Sequence, residues 1–290
     1  MFEKITCIAI LTVAAALPPA IAQTKVSPET RKQAEKCLQN GADFLIKMQN
    51  DDGSWGKYKM PSITALCVTA LHDAPASHPK KRDAAIDKGV KNILSYVQDN
   101  GAIAKPFKVL GIFKTSDYAN YNTAISLLAL ATLNRPEHIN VMKAARAYLK
   151  KQQVRDPHAN GHGGFGYAAG KKADLSNTGW AAEALHFTKH LDKEPLEKEP
   201  EKKKAENKEM REALLKFLDQ CQNLPEEGRE ADDDDDGGLG YRPGMVSSGS
   251  MTYAGLKSMI YAKVDRKDVR VKGAVRFIRN NYTLAKNPGQ

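Results

Sequence analysis

Cysteine is scarce in this chain, with four among 290 residues. Cys7 lies in the apolar N-terminal stretch, and the other three, Cys37, Cys67 and Cys221, show no Cys-x-x-Cys spacing. This pattern excludes a disulfide framework and a zinc site built on paired cysteines. Stability must therefore come from a packed core, which a chain of this length can form.

Long apolar runs are also missing, except for a stretch of thirteen residues at positions 5–17. The mean hydropathy of −0.51 excludes a multi-span membrane protein. Lys4 precedes the stretch and a small-residue pattern ending at Ala22 follows it. A helix of this length reaches about 20 Å, short of the roughly 30 Å hydrocarbon core. The sequence therefore predicts a signal peptide over residues 1–22, cleavage near Ala22, export to the periplasm or beyond, and no permanent membrane anchor.

Positive charge is not concentrated in any one segment of the chain. The 44 Lys and Arg against 34 Asp and Glu give a net charge of +10, but the basic residues are scattered, so no nucleic-acid partner is predicted. Residues 226–236 hold eight acids and one Arg, and residues 189–209 hold seven Lys, seven acids and two prolines. We interpret both stretches as loop insertions in a single domain, residues 23–290, and expect the early part of the second stretch to be solvated.

An internal repeat organises most of the chain. In each copy, an aromatic or aliphatic residue is followed directly by an aliphatic residue, and Gln stands five positions after the first of the two. The four copies begin at Phe44, Ile93, Tyr148 and Phe217 and carry Gln49, Gln98, Gln153 and Gln222. A fifth copy begins at Phe277 and has Tyr282 in place of Gln. Agreement at fixed offsets indicates one structural unit repeated along the chain.

A turn and a second apolar stretch follow each Gln. The turn consists of Gly, any residue and a large apolar residue, and the stretch begins with Thr. The apolar turn residues are Trp55, Ile103, Phe165 and Leu239, and the threonines are Thr64, Thr123, Thr178 and Thr252. Gly permits a backbone turn with positive φ, and we expect the Thr hydroxyl to cap the first N–H groups of the next helix.

Both halves of the unit have the pattern of a helix. Ala34, Leu38, Ala42, Leu45 and Met48 recur every three or four residues among polar ones, which is typical of an amphipathic outer helix. Residues 123–131 are apolar almost all round, which is typical of an inner helix covered on several sides. One such pair cannot bury its apolar face, so neighbouring pairs must stack into an all-α fold with outer and inner layers.

The unit resembles the Gln-Trp motif of squalene and oxidosqualene cyclases, and more loosely that of protein prenyltransferase β subunits. Phe44, Gln49 and Trp55 fit the motif, and Lys88-Gly89 supplies its leading basic and small pair in the second unit. The resemblance covers nearly all of residues 28–282. It implies an α/α toroid, in which the N-terminal ends of the inner helices face a central cavity. With four complete pairs and one unpaired outer helix, we expect a partial ring with an open C-terminal edge.

The catalytic patterns of these families are not matched. Cyclases of the squalene-hopene type carry Asp-x-Asp-Asp-Thr at the start of an inner helix, whereas residues 174–178 read Asp-Leu-Ser-Asn-Thr. Ser176 replaces the proton-donating acid, and a hydroxyl cannot protonate an alkene, which leaves Asp174 as the catalytic candidate. Prenyltransferases hold zinc through Asp, Cys and His, but Cys67 has no Asp beside it. We therefore predict no cofactor.

The acidic run contains a partial calcium-loop pattern. Asp232, Asp234 and Asp236 match the first ligand positions of an EF-hand loop, but the twelfth position is Pro243 instead of Glu. The bidentate ligand is missing, so solvated surface is the preferred interpretation and no metal is predicted, with these three residues kept as the candidates.

Two groups of residues receive predicted roles. We assign the repeat residues to structure: Phe44, Gln49, Trp55, Gln98, Gln153, Phe165 and Gln222. We assign polar and aromatic residues near the starts of the inner helices to ligand binding: Tyr118, Tyr121, Asn122, Asp174, Asn177, Trp180 and Tyr253. The alternative for the second group is that the polar residues cap helices and the aromatic rings fill the middle of the ring.

Three functions are compatible with these observations. The first is an exported toroid that binds an apolar or isoprenoid-like ligand in its central cavity. The second is a prenyltransferase-like or terpene cyclase-like enzyme that uses Asp174 or the acidic run. The third is a protein-interaction scaffold that binds a partner or a second copy at the open C-terminal edge. The incomplete catalytic motif favours the first.

Overall fold

The computed structural model describes residues 26–105, 107–109, 112–114, 118–192, 200–225 and 235–289. Its helices are α1 Pro28–Met48, α2 Pro61–Asp73, α3 Pro79–Leu94, α4 Ala119–Leu133, α5 Ile139–Gln152, α6 Leu175–Phe187, α7 Pro200–Cys221, α8 Gly249–Tyr261 and α9 Val269–Asn280. Two antiparallel pairs of short strands accompany them: β1 Phe107–Val109 with β2 Ile112–Lys114, and β3 Leu239–Gly240 with β4 Ser247–Ser248. None of these helices combines the length and apolar character needed to span a bilayer. The predicted signal peptide, residues 1–22, and Asp232 and Asp234 lie outside the described residues.

The helices form two layers. The inner helices α2, α4, α6 and α8 pack against one another in that order, and α3, α5 and α9 each pack on the inner helix that precedes them in the chain. Leu127 and Leu130 of the inner helix α4 are fully buried, whereas the outer helix α3 buries one face through Ile86, Val90 and Ile93. The predicted all-α fold with inner and outer layers is confirmed.

The repeat glutamines join successive units. In three units the Gln side-chain amide donates to two backbone carbonyls, one on the glycine of its own turn and one on the next outer helix. The acceptors are Gly53 and Ala85 for Gln49, Gly163 and Met210 for Gln153, and Gly237 and Arg270 for Gln222, over 2.8–3.0 Å. Gln98 differs, because its amide donates to Ala104 within its own turn. These bonds give the glutamines a structural role.

The repeat glycines need the conformation that only glycine adopts freely. Gly53, Gly101, Gly163 and Gly237 have φ between +82° and +87°. A Cβ on any of them would also collide with backbone atoms of the next outer helix. The glycine of each turn therefore lies directly against the backbone of the next outer helix, and there is no room for a side chain at this position.

The repeat threonines fasten the turns to the inner helices. In three units the Thr hydroxyl accepts from the backbone N–H of the apolar turn residue and donates to the carbonyl four residues before the Thr. The turn residues are Ile103 for Thr123, Phe165 for Thr178 and Leu239 for Thr252, each at 2.9 Å. The expected capping by Thr was wrong for all four inner helices. Asp174 and Ser248 cap α6 and α8, and α2 and α4 have no side-chain cap bond.

The repeat aromatics are not all buried. Trp55 is 3% exposed, its Nε1 donates to the Leu45 carbonyl over 2.8 Å, and its ring lies beside Gly89. Phe165 is buried in the same way between its turn and α6. Phe44 instead has 61% of its surface exposed. Of the two aromatic motif residues of the first unit, Trp55 therefore contributes to the core and Phe44 does not.

In the stretch at residues 189–209, the described parts 189–192 and 200–209 are helical, unlike the predicted solvated insertion, and residues 193–199 lie outside the described residues. A short 3-10 helix, Lys189–Asp192, buries Leu191 and places Asp192 against Arg146, whose Nε donates to it over 2.8 Å. The outer helix α7 then begins at Pro200, so the second half of the stretch is helical. The equal numbers of positive and negative charges in this stretch led us to predict a loop. Mixed charges are also typical of the exposed side of an outer helix, so the composition did not reveal the helix that begins at Pro200.

The C-terminal tail lies across the start of α8. The Gly249 N–H donates to the Pro288 carbonyl over 2.9 Å, and the Ser250 N–H donates to Asn287 Oδ1 over 2.9 Å. These bonds satisfy first-turn N–H groups that a helix leaves free. The tail thus covers part of the edge where the sequence predicts an open end.

We predict that Gln153→Leu lowers the free energy of unfolding by about 2–4 kcal/mol, because it leaves the Gly163 and Met210 carbonyls without their donor. Gln152→Leu is the matched control, since the Gln152 amide bonds only weakly to its own helix, at 3.4 Å, and we expect a change within about 0.5 kcal/mol. Urea unfolding of both variants measures the difference. An equal loss of unfolding free energy in the two variants would contradict the role of Gln153 in joining successive units.

Candidate ligand site at the starts of the inner helices

Asp174 begins the inner helix α6 and is fully buried. Its Oδ1 accepts from the Asn177 N–H over 2.9 Å, and its Oδ2 accepts from the Asn177 side-chain amide over 2.8 Å. The Asp174 N–H donates to the Phe165 carbonyl, which ties the cap to the preceding turn. The carboxyl is therefore a rigid helix cap with both oxygens engaged.

The pKa of Asp174 lies above its ordinary value. Burial is the main cause, because it disfavours the charged carboxylate. The two Asn177 hydrogen bonds, the Tyr241 hydroxyl and the positive charge of Arg242 act in the opposite direction without cancelling it. The carboxyl thus keeps its proton to a higher pH than a solvated aspartate does.

Four tyrosines contact one another in a series that reaches this carboxyl through Tyr241, and we call them the tyrosine cluster: Tyr118, Tyr121, Tyr167 and Tyr241. The Tyr167 ring lies 5.4 Å from that of Tyr118 and 5.8 Å from that of Tyr121, measured between ring centres. The Tyr241 hydroxyl donates to that of Tyr167 over 3.4 Å. Burial, aided by Tyr167 and Asp174, raises the pKa of Tyr241, and burial also raises that of Tyr121. These two therefore remain neutral phenols at physiological pH.

Two members of the cluster escaped prediction from the sequence. Tyr167 and Tyr241 each stand two residues after the apolar residue of a repeat turn, behind a glycine. Their backbone carbonyls accept from the Asn120 N–H, over 2.8 Å, and the Leu175 N–H, over 2.9 Å, at the starts of α4 and α6. The shared Gly-Tyr pair of the third and fourth turns was the signal that could have identified them.

Two buried amide oxygens at these helix starts have no partner in the described part of the protein. Asn122 and Asn177 occupy the same repeat position, one residue before the Thr, and each is 2% exposed. The Oδ1 atom of each makes no hydrogen bond to any described residue. An unpaired buried acceptor is costly, so a water or a ligand hydroxyl bound there would be favoured.

The remaining predicted ligand residues have other neighbours. Trp180 is half-buried, and the Lys257 ammonium lies 5.3 Å from its ring centre while pairing with Glu183 over 2.6 Å. Tyr253 is half-exposed and lines a surface pocket of about 340 Å³ beneath the C-terminal tail. These two residues are held by contacts that do not include the tyrosine cluster.

Asp236 is the predicted metal ligand that lies within the described residues, and its carboxylate accepts hydrogen bonds from nearby residues. Asp236 Oδ1 accepts from the Gly238 N–H over 2.8 Å and from the Ser247 hydroxyl over 2.6 Å. Among the residues with described positions, no group of three or more His, Cys, Asp or Glu side chains is arranged to hold a metal ion. The burial of Cys67 and Cys221 raises the pKa of their thiols, to about 11 and about 12, which makes them poor ligands and poor nucleophiles.

No protein-family model matches the chain. Two similar solved structures are variants of the type II terpene cyclase MstE from Scytonema. An Asp-to-Ala variant holds the product merosterolic acid A (19% identity, TM-score 0.46), and an Asp-to-Asn variant holds the substrate geranylgeranyl dihydroxybenzoate (18%, 0.46). Each match covers 93% of this chain but only 66% and 65%, respectively, of the cyclase chain. At this identity no residue role is carried from these enzymes to this chain.

We predict that Asp174→Asn changes the pH dependence of stability. An acid whose pKa is raised in the folded state binds more protons when folded, so its contribution to stability falls as pH rises above the ordinary value of 3.8. The amide keeps the cap without this titration. The free energy of unfolding of the wild type minus that of the variant should therefore fall from pH 3.5 to 7. Each unit by which folding raises the pKa contributes about 1.4 kcal/mol to the fall. Urea titrations measure it, and a difference that stays flat or rises would refute the raised pKa.

Proposed function

We propose that this protein binds an apolar, isoprenoid-like molecule against the tyrosine cluster. The observation that carries the proposal is the contact of tyrosine rings from one inner helix start and two repeat turns beside a buried carboxyl with a raised pKa. Tyrosine rings offer broad apolar faces, and their hydroxyls can bond the polar end of a ligand. The resemblance of the repeat to the Gln-Trp motif of squalene cyclases implies the same ligand class.

The polar groups around the cluster suit a ligand with one polar end. The oxygens of Asp174 are buried and bonded by Asn177, so they are not free to pair with a cationic ligand. Arg242 lies with its guanidinium carbon 5.4 Å from the Tyr241 ring centre, and its buried Nε has no hydrogen-bond partner in the described residues. A carbonyl suits an unpaired donor such as this Nε, and a hydroxyl suits an unpaired acceptor such as Asn177 Oδ1, so we expect an apolar ligand with one hydroxyl or carbonyl end.

We predict that Tyr167→Ala weakens the binding of geranylgeraniol at least tenfold, because Tyr167 is the ring that touches both Tyr118 and Tyr121. Equilibrium dialysis of the alcohol against purified protein measures the affinity. Tyr58→Ala is the matched control, since Tyr58 is 81% exposed in the first turn, and it should bind as the wild type does. Equal affinity of the two variants, or no binding by the wild type, would reject the proposal.

Acid catalysis at the same place is a second candidate function, favoured by the raised pKa of Asp174. Asp174 has no exposed surface and both oxygens are held by Asn177, so an alkene cannot reach it directly as the side chain now stands. Binding without turnover is therefore the better-supported function. If catalysis exists, squalene incubated with the protein is converted and Asp174→Asn slows the conversion at least a hundredfold. Mass spectrometry of the extracted lipid decides this, and unchanged squalene eliminates the candidate.

The proposed place of action is outside the cytoplasm. This part of the proposal rests on the composition of residues 1–22 alone. An exported protein that binds an apolar molecule would hold it away from water between membranes or at their surface. Binding partners other than the ligand form no part of this proposal.

A further inference from the structure

We propose that Asn120 and Tyr148 are positioning residues, which hold the ring of Tyr167 in the tyrosine cluster. The Tyr148 hydroxyl, on the outer helix α5, donates to Asn120 Oδ1 over 3.1 Å. The Asn120 side-chain amide donates to the Gly166 carbonyl over 3.0 Å, and the Asn120 N–H donates to the Tyr167 carbonyl over 2.8 Å. Two successive turn residues are therefore bound to the start of α4. That this placement serves a ligand rests on the proposed function.

The other units of the repeat have no such pair. The first repeat position is Tyr148 in the third unit, and the other copies have residues without a hydroxyl: Phe44, Ile93, Phe217 and Phe277. The position three residues before the repeat threonine is Asn120 in α4, and the other inner helices have residues without a polar side chain: Pro61, Leu175 and Gly249. Both exceptions to the repeat occur where their side chains meet. Stacking of the units therefore does not require this pair.

The two polar side chains are buried and depend on each other. Asn120 is 2% and Tyr148 is 7% exposed. Burial raises the pKa of Tyr148 to about 12, so its phenol remains a donor at physiological pH. In the next unit the same positions hold Leu175 and Phe217, which are fully buried without any polar group to satisfy. Because apolar residues fill these positions equally well, the buried pair is better explained by the geometry that it fixes.

Tyr167 needs a restraint because it lies at the base of an exposed turn. Residues 169–172, which follow it, are all exposed. The Tyr167 ring nevertheless contacts the rings of both Tyr118 and Tyr121. Exposed segments with few buried contacts open more readily than the core does. The place of this ring therefore depends on the bonds that hold Gly166 and Tyr167.

The fourth turn shows the arrangement without the pair. The Tyr241 carbonyl accepts from the Leu175 N–H over 2.9 Å, and a leucine side chain can add no second hydrogen bond. Tyr167 receives the additional bond and is also the tyrosine that the Tyr241 hydroxyl reaches. The extra restraint thus falls on the central ring of the cluster. A ring fixed before binding loses less entropy when a ligand packs against it.

A double variant tests the proposal with little disturbance of packing. Asn120→Leu combined with Tyr148→Phe introduces the residues that the next unit carries at these positions, and it leaves neither polar side chain without its partner. Circular dichroism establishes that it is folded, and Tyr148→Phe alone replaces it if it is not. Tyr96→Phe is the matched control, since it removes a tyrosine hydroxyl that donates to the Lys59 carbonyl over 3.3 Å, outside the cluster.

Fluorine NMR of protein labelled with 3-fluorotyrosine reports the surroundings of the Tyr167 ring, and the loss of a resonance in Tyr167→Phe assigns it. In the double variant this resonance should move toward that of free 3-fluorotyrosine, and in Tyr96→Phe it should stay in place. A pair with a purely structural role would change stability without displacing the ring. A Tyr167 resonance at its wild-type position in the folded double variant would therefore overturn the proposal.

Equilibrium dialysis with geranylgeraniol measures the consequence for binding. We expect the double variant to bind about fivefold more weakly than the wild type, and Tyr96→Phe to bind as the wild type does. Equal affinities of the wild type and the double variant would refute the link between this pair and the ligand. A wild type that binds no geranylgeraniol rejects the proposed function instead, and the fluorine resonance then decides whether Asn120 and Tyr148 position Tyr167.

Discussion

The side-chain amide of the repeat glutamine couples the first, third and fourth units to the next outer helix. One nitrogen of Gln153 donates both to its own turn at Gly163 and to the following outer helix at Met210. The glycine of that turn is pressed against the same helix, so the bond and the packing contact reinforce each other. Because Gln49 and Gln222 repeat this geometry, the spacing between units is fixed by hydrogen bonds as well as by apolar packing.

The candidate site is a consequence of this coupling. Once the third and fourth turns are fixed, their backbones reach back to the starts of the preceding inner helices, where the carbonyls of Tyr167 and Tyr241 accept N–H groups of α4 and α6. The side chains of these tyrosines must then lie beside Tyr121 and Asp174. A ligand-binding surface built this way uses rigid elements, which lowers the entropy lost on binding.

The sequence allowed the layers to be predicted but only part of the site. Periodicity identified inner and outer helices, but α6 begins three residues before Thr178, which was expected to cap it, and its cap is Asp174. Tyr167 and Tyr241 escaped because their importance comes from contacts between units 46 to 67 residues apart, such as those of Tyr167 with Tyr121 and Tyr241 with Asp174. The role of the repeat threonines was misjudged for the same reason, since a hydroxyl can cap its own helix or fasten a distant turn and local sequence does not distinguish the two.

The first and last described units of the repeat differ in how their apolar side chains and their free backbone N–H groups are covered. The aromatics of the last two outer helices are covered by the turns that precede them, so Phe277 is buried while the first repeat aromatic, Phe44, is not. At the start of α8, the Pro288 carbonyl accepts the N–H of Gly249, as the carbonyls of Tyr167 and Tyr241 accept N–H groups of α4 and α6. Backbone N–H groups can be satisfied by any nearby carbonyl, whereas an apolar helix face needs a matching surface. Among the described residues, the apolar side of α1 at Phe44 therefore remains without such a surface.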